Sequence, residues 1–266
     1  MKNQSLRDYL SIFVNHCHES NTPIKFKIET ESEGALYSDI LFMNEIAAIA
    51  KIPLCVKIGG VEALRDIFEF SRFNISLFIA PMVESPFGAH KFISSLKKFK
   101  STYPGIRGGL LIETASGIMN FEKIAKLVAD NTDTISHVII GRTDLSASLK
   151  VDELQNCLPD SDEIMNKITS CFELLKSFSP SCKTAFGGNI NTNTITKLSD
   201  SLLDVVDFVE TRKVVIPALS LRNDPSLLTQ ALQFERFYLS ERIEYYGYLV
   251  NADSARIIQL ESRGKS

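Results

Sequence analysis

Short apolar runs alternate along the chain with longer segments in which apolar residues recur every three or four positions. The short runs have the length of buried strands, and the longer spacing is that of amphipathic helices. Seven strands are predicted: Ile24–Glu29, Leu54–Ile58, Leu77–Pro81, Gly108–Glu113, His137–Gly141, Lys183–Gly187 and Val205–Glu210. Helices are predicted at Ser5–Glu19, Val61–Phe70 and Phe87–Phe99. This alternation is typical of an α/β fold.

The number of strands favours one α/β architecture. Seven strands are one fewer than the eight of a TIM-type (β/α)8 barrel, and 266 residues are close to the roughly 250 typical of that fold. No Gly-x-Gly-x-x-Gly or Walker-type loop opens a helix, which argues against a nucleotide-binding doubly wound sheet. We therefore predict a TIM-type barrel with an altered first strand. The helix Ser5–Glu19 replaces that strand, or the strand lies in a segment whose pattern does not reveal it.

The pattern changes after Pro217, where strand signals stop. Helical spacing continues over Pro225–Leu249 and Ala252–Leu260, which predicts a C-terminal helical hairpin. We accordingly divide the chain into a barrel domain with its N-terminal helix, residues 1–217, and a helical extension, residues 218–266. The extension is rich in aromatic residues, which either cover its own barrel or lie at a subunit interface. They are Phe234, Phe237, Tyr238, Tyr245, Tyr246 and Tyr248.

Composition excludes some classes of function. A net charge of −3 gives no reason to expect a nucleic-acid partner, and no apolar stretch approaches the roughly 20 residues that span a bilayer, so no membrane partner is expected. The N-terminus lacks the apolar core of a signal peptide, which favours a cytoplasmic location. The five cysteines have no paired or zinc-type spacing and are interpreted as reduced structural thiols.

Two predicted strands end abruptly in a carboxylate, Glu113 and Asp144. An acid at the tip of a buried parallel strand is costly unless something compensates it. Either acid alone is explained equally well as a cap of the following helix. Together, on consecutive strands, they would face the same mouth of a barrel, and hard divalent cations prefer carboxylate oxygens. The pair therefore predicts a metal site.

The residues around these acids resemble a known family. Ile112-Glu113-Thr114 with Asn120 downstream, then Gly141-x-x-Asp144-Leu145-Ser146, is similar to the HpcH/HpaI aldolase and citrate lyase β-subunit family. Pro81–Ser85 resembles the preceding strand end of that family, and the resemblance covers about residues 24 to 150. It implies that Glu113 and Asp144 bind Mg²⁺ or Mn²⁺, and that the protein is a homo-oligomer, a trimer or a multiple of it.

The implied activity is that of a carbon–carbon lyase or aldolase acting on a small-molecule carboxylate or acyl substrate. The ion would chelate a 2-oxo acid or a β-hydroxy acyl group and stabilise the enolate that cleavage leaves. Charged and small residues at the other strand ends complete the predicted site. The catalytic candidates are Lys57, Glu29, Glu84 and Arg212. The substrate-binding candidates are Glu31, Gly59, Gly141, Arg142, Thr143 and Asn189.

Two departures from the family leave alternatives open. The family has an Arg at the position of Lys57, and Lys keeps the charge but loses the bidentate fork. The family also has a His at the position of Ser32, so its usual proton-transfer group is missing, and Glu29, Glu31 or Glu84 could serve instead. Structural ion pairs, for instance Lys57 with Glu29 or Glu84, would explain these charges without catalysis. Two other hypotheses stay open. One is catalysis through a Schiff base on Lys57, and the other is a non-catalytic barrel that binds an acidic ligand or a partner subunit.

Overall fold

The fold is a closed barrel of eight strands in which each strand pairs with its sequence neighbour. The computed structural model describes residues 6–73, 75–151 and 158–263. The predicted TIM-type barrel is therefore confirmed, and all seven predicted strands are present. The strands are β1 Lys25–Glu29, β2 Leu54–Lys57, β3 Ile75–Ala80, β4 Gly108–Ile112, β5 Ile135–Gly141, β6 Lys183–Gly187, β7 Phe208–Glu210 and β8 Val214–Pro217.

The sequence pattern does not predict the eighth strand, β8, and the direction of β8 is opposite to that of its two neighbours. It pairs antiparallel with both β7 and β1, and it thereby closes the barrel in the place expected for an altered first strand. Only three residues, Thr211 to Lys213, join β7 to β8. A parallel crossover needs a dozen or more residues, so this connection can form only a hairpin. The Thr211 N–H donates to the Val214 carbonyl at 2.8 Å, which closes the turn.

Helices of very different length lie on the outside of the barrel. The predicted helices at the N-terminus, before β3 and before β4 are all present. The helices are α1 Leu6–Glu19, α2 Tyr37–Ala50, α3 Leu64–Phe70, α4 Pro86–Lys100, α5 Ala115–Met119, α6 Phe121–Ala129, α7 Arg142–Val151, α8 Asp162–Phe178, α9 Thr192–Thr196, α10 Asp200–Leu203, α11 Ala218–Asn223 and α12 Ser226–Arg263. The first residue of the predicted N-terminal helix, Ser5, lies outside the described residues.

Two apolar cores separate the layers of the barrel. The larger core lies between the strands and the helices, and the smaller one fills the barrel interior. The interior cluster consists of Cys55, Leu77, Ile79, Leu111, Ile139 and Ala185. Because side chains alternate along a strand, residues two positions from these also face inward, and several of them are charged. The barrel interior is therefore apolar only in its middle, with polar groups at both ends.

After the short α11, the C-terminal extension continues as the single helix α12 of 38 residues, so the hairpin predicted from Pro225 on is wrong. Its first half packs on the barrel and on α1: Phe234 stacks on Phe26 with ring centroids 4.7 Å apart, and Phe237 contacts Tyr9 at 4.9 Å. Such aromatic pairs contribute roughly 0.5–1.5 kcal/mol each beyond their burial. From Ile243 on the helix is largely exposed, although the Tyr246 hydroxyl still donates to Asp39 of α2 at 3.0 Å. Exposed there are Ile243, Tyr245, Tyr248, Leu249, Val250, Ile257, Ile258 and Leu260.

Two further predictions concern the chain as a whole. Within the part that the structure describes, no helix is both long and apolar enough to cross a membrane. Cys17, Cys171 and Cys182 are buried free thiols, and Cys55 is buried in the barrel interior, whereas Cys157 lies outside the described residues. Burial raises the pKa of Cys17 and Cys182 to about 12, which keeps both thiols protonated and unreactive.

Candidate active site

A cavity of about 680 Å³ opens at the carboxyl ends of the barrel strands. This volume lies within the range of about 300–1,000 Å³ that is usual for small-molecule sites. Strand ends from around the barrel and one face of α12 contribute its walls. Its polar lining residues are Lys27, Glu29, Ser32, Lys57, Glu113, Thr143, Asp144, Asn189, Glu210, Thr211, Arg212 and Glu235.

Glu113 and Asp144 lie on one side of this cavity, as predicted. Glu113 directly follows β4 and is 4% exposed, and Asp144 is exposed in the first turn of α7, directly after β5. The Met82 N–H donates to Glu113 Oε1 at 3.1 Å. A side chain at Gly141 would place its Cβ 2.6 Å from Glu113 Oε2, so Gly141 provides the room for that carboxylate. We call this side, with Glu113, Gly141 and Asp144, the β4–β5 wall.

The carboxylates of the β4–β5 wall fit a divalent cation of the Mg²⁺ type. Burial raises the pKa of Glu113 to about 7, and the negative charges of Asp144 and Glu31 add to this effect, against Lys57 and the Met82 N–H. A cation at this position would compensate that buried negative charge. Among the described residues no cluster of three or more His, Cys, Asp or Glu side chains forms a complete protein cage. Two protein carboxylates, with water and substrate as further ligands, are a common arrangement for Mg²⁺.

Lys57 lies beside this wall in a network of acids. Its ammonium is 2.6 Å from Glu31 Oε2 and 3.4 Å from Glu29 Oε2, and Glu29 is its direct neighbour across β1 and β2. Burial alone would lower the pKa of Lys57, but the hydrogen bond to Glu31 and the charges of Glu113 and Glu29 raise it. Lys57 is therefore a permanent cation at neutral pH, and ion pairs with Glu29 and Glu31 are part of the reason.

Of the candidate proton acceptors Glu29, Glu31 and Glu84, Glu29 lines the cavity, but its basicity is low. The Ser32 hydroxyl, at the position of the missing family His, donates to Glu29 Oε1 at 2.5 Å. Burial alone would raise the pKa of Glu29, yet this hydrogen bond and the charges of Lys57 and Lys27 lower it. The pKa of Glu29 therefore lies below its ordinary value. Glu29 is ionised at neutral pH and can accept a proton only against this stabilisation.

Three predicted site residues lie elsewhere. Glu84 is exposed outside the cavity lining, because the chain turns away after Pro81 into the N-terminus of α4. The Gly59 N–H donates to Asp66 at 2.9 Å, away from the cavity lining. Arg142 is fully buried, bound to Asp160 at 2.5 Å and to the Gly187 and Gly188 carbonyls. Its guanidinium holds the strand-end loops together and does not reach a substrate.

The other predicted substrate-binding residues line the cavity or support it. Thr143 and Asn189 are exposed in its wall, and Asn189 has a positive φ of 48°. Glu31 contributes through its ion pair with Lys57. Arg212 lines the opposite side, with 58% of its side chain exposed and Nε 3.6 Å from Glu33 Oε1.

That opposite side contains residues that the sequence did not single out. Lys27 and Glu210 form an ion pair of 2.8 Å inside the barrel, and Glu235 of α12 lines the same region. Charged residues alternating with apolar ones in β1 were the only signal for Lys27. Nothing in the helical pattern of α12 indicated Glu235, because its position depends on how α12 crosses the barrel. We call the side with Lys27, Glu210, Arg212 and Glu235 the β7–β8 wall.

Comparisons with known proteins support the fold. No protein-family model and no curated protein matches the sequence. The solved structure of macrophomate synthase matches with a TM-score of 0.53 and 11% identity, over 86% of this chain and 82% of that chain. An HpcH/HpaI aldolase/citrate lyase family protein from Burkholderia cenocepacia J2315 matches with a TM-score of 0.51 and 14% identity, over 67% of this chain and 75% of that chain. At these identities the likeness shows the fold, and it confirms the barrel that the resemblance implies.

Proposed function

We propose that the protein is a carbon–carbon lyase of the aldolase type that depends on Mg²⁺ or Mn²⁺ and acts on a 2-oxo acid or a β-hydroxy acyl substrate. The observation that carries the proposal is the placing of Glu113 and Asp144 on adjacent strand ends in one cavity, beside the cation Lys57. The likeness to an aldolase/citrate lyase barrel is in agreement with it. Active sites of TIM-type barrels lie at this face.

The residues have distinct roles in this proposal. Glu113 and Asp144 bind the ion, which as a Lewis acid lowers the energy of negative charge developing on the substrate oxygen. Lys57 adds a fixed positive charge beside that oxygen, and such preorganised charge is often the largest catalytic contribution. Arg212 is exposed on the opposite side of the cavity, where it is available to the part of the substrate that is distal to the ion. Thr143 and Asn189 offer hydrogen bonds at the rim of the cavity.

Proton transfer is assigned to Glu29. Glu29 is buried, ionised and fixed by Ser32, and it is within ion-pair distance of Lys57. A Schiff base on Lys57 requires an uncharged amine, and the raised pKa of Lys57 opposes it. The buried free thiols agree with the reducing environment of the cytoplasm, which is the location we propose.

Proton exchange at the methyl group of pyruvate in D2O, followed by NMR, tests the proposal directly. We expect exchange with Mg²⁺ or Mn²⁺, none after EDTA treatment, and recovery when metal is restored. A panel of hydroxy acids should then release pyruvate or an acyl product only in the presence of metal. Metal binding without exchange and without cleavage of any substrate would favour the non-catalytic barrel.

We also propose that the protein is a homo-oligomer, a trimer or a multiple of it, assembled through the second half of α12. Ile243, Val250 and Ile257 recur every seven residues, so they lie on one face of the helix, and they are 73%, 63% and 54% exposed. A heptad stripe of this kind suits packing against a second copy of the same helix. The aromatic residues of the extension are thus divided: Phe234 and Tyr238 cover the barrel, and Tyr248 remains exposed.

Sedimentation measurements test the assembly. Replacing Ile243, Val250 and Ile257 together by Lys should shift the protein to smaller species while its circular dichroism is retained. The matched control replaces exposed polar residues of the same segment, Glu244 and Asn251, by Lys, and it should sediment like the wild type. A wild-type protein that is monomeric at micromolar concentration would contradict the proposal.

A further inference from the structure

The two walls of the cavity differ in how their charges are balanced. In a ring of eight strands, β4 and β5 lie opposite β8 and β1, so the β7–β8 wall faces the carboxylates of the β4–β5 wall across the cavity. A small 2-oxo acid bound at Glu113 and Asp144 would fill only a part of about 680 Å³. The remaining volume extends toward Glu210, Arg212 and Glu235, so a longer substrate would bring its distal part against these residues.

Most charges of the β7–β8 wall are already paired with one another. Lys27 binds Glu210 at 2.8 Å, and Glu33, behind the wall, binds Lys213 and lies 3.6 Å from Arg212. Glu235 differs from these residues. Among the described residues, none donates a hydrogen bond or forms an ion pair with its half-buried carboxylate, which lines the cavity. Water in the cavity can reach this carboxylate, but a ligand that covers it displaces the water and leaves an unsatisfied acceptor unless the ligand itself donates a hydrogen bond.

The surroundings of Glu235 define the chemistry of that donor. Burial raises the pKa of Glu235, the cations Lys213, Arg212 and Lys27 act against this, and Glu33 adds to it. The region is neutral overall, because three acids are balanced by three bases. The acids are Glu33, Glu210 and Glu235, and the bases are Lys27, Arg212 and Lys213. Neither a cationic nor an anionic group is favoured there. Hydroxyl groups fit, because each can donate to Glu235 and accept from Arg212.

We propose that Glu235 is a specificity-determining residue that selects substrates with hydroxyl groups at the end distal to the metal-binding carboxylates. This inference rests on the proposed function for the orientation of the substrate. Glu235 would accept a hydrogen bond from a distal hydroxyl, and a substrate with an alkyl chain at that position would leave the carboxylate desolvated and unpaired. Sites built to bind a substrate hydroxyl reject the analogue that lacks it more strongly than apolar pockets reject an extra hydroxyl.

Calorimetry with two unreactive ligands tests the inference. Gluconate and 2-hydroxyhexanoate share the carboxylate, the 2-hydroxyl and the chain length, so they differ only in the hydroxyls beyond carbon 2. In the presence of Mg²⁺ we expect gluconate to bind the wild type at least tenfold more tightly. Glu235→Leu should abolish this preference, and Glu235→Gln, which keeps one acceptor oxygen, should retain part of it. Glu244→Leu, an exposed site on the same helix, should bind both ligands like the wild type.

Several results would overturn the inference. They are equal binding of the two ligands, no measurable binding of either ligand to the wild type, or an unchanged preference in Glu235→Leu. Pyruvate exchange in the wild type reports separately on the proposed function. Exchange without a preference for gluconate would leave the lyase proposal standing and remove the role of Glu235. A preference that depends on Glu235, without exchange and without cleavage of any substrate, would support the hydroxyl-binding site and contradict the lyase.

Discussion

The two ends of the barrel interior both contain lysines, but they surround them with different partners. At the carboxyl end, Lys57 and Lys27 pair with Glu31, Glu29 and Glu210 around an open cavity. At the amino end, Lys25 contacts the His137 ring at 2.9 Å and lies 4.6 Å from the centre of the Phe208 ring. Among the residues that the structure describes, no carboxylate lies within ion-pair distance of Lys25.

The carboxyl end therefore stabilises the charged form of Lys57, whereas the amino end favours the uncharged form of His137. The acids at the carboxyl end keep Lys57 protonated, and Glu113 and Asp144 are available to a cation. At the amino end, burial lowers the pKa of His137 to about 3, and the charges of Lys25 and Lys183 add to this effect against Asp207. Changes at the carboxyl end should therefore affect binding and catalysis, and changes at the amino end should affect only stability and its pH dependence.

The largest effect is expected from the carboxylates of the β4–β5 wall. Glu113→Gln and Asp144→Asn each remove a ligand charge without removing packed atoms, so Mn²⁺ binding should fall below detection by calorimetry and the fold should persist. Metal-dependent exchange should fall by about 10³-fold or more. Glu122→Gln, an exposed acid on α6, is the matched control. Unchanged Mn²⁺ affinity in both site variants would disprove the metal site.

The second-largest effect is expected from substitution of Lys57. Lys57→Met removes the fixed cation beside the carboxylates and should lower kcat by about 10²–10³-fold, whereas Lys57→Arg keeps the charge and should retain part of the activity. Comparing the two variants shows whether activity requires only the positive charge of residue 57 or also the shape of the lysine side chain. If borohydride traps a substrate adduct on Lys57, the Schiff-base mechanism replaces the electrostatic one.

Much of the barrel could be predicted from the sequence, because parallel strands are short apolar runs with a helix between them. The strand-end acids Glu113 and Asp144 were visible for the same reason: each interrupts such a run. β8 was missed because its four residues follow β7 after only three, too close for the expected helix. The pairing of Lys27 with Glu210 depends on that closure. Arg142 resembled a site residue because its half-buried partner, Asp160, lies on a loop 18 residues further along the chain.

The ion pair of Lys27 and Glu210 should affect stability strongly. Both side chains are largely buried, so Glu210→Leu leaves an uncompensated ammonium and should lower the free energy of unfolding by about 3 kcal/mol. The double variant Lys27→Met with Glu210→Leu removes both charges and should regain most of that loss. Urea denaturation measures both. A double variant that is no more stable than Glu210→Leu would show that the pair is not energetically coupled.

The smallest effect concerns His137 at the amino end. Its pKa is about 3 in the folded protein and about 6.5 in an unfolded chain, so below pH 6.5 the unfolded state binds a proton that the folded state does not. Stability contributed by His137 is therefore complete above pH 6.5 and is lost progressively as the pH falls toward 3. Between pH 7.5 and pH 5 this loss of unfolding free energy amounts to about 2 kcal/mol, at 1.36 kcal/mol per pH unit below 6.5.

His137→Gln keeps an acceptor for Lys25 but does not titrate, so its unfolding free energy should change less over this interval. Urea denaturation of both proteins at the two pH values measures the difference, and equal losses would mean that His137 is protonated in the folded barrel. Metal-dependent exchange at pH 7.5 should be the same in both proteins, because Lys25 and His137 lie at the end of the interior away from the cavity.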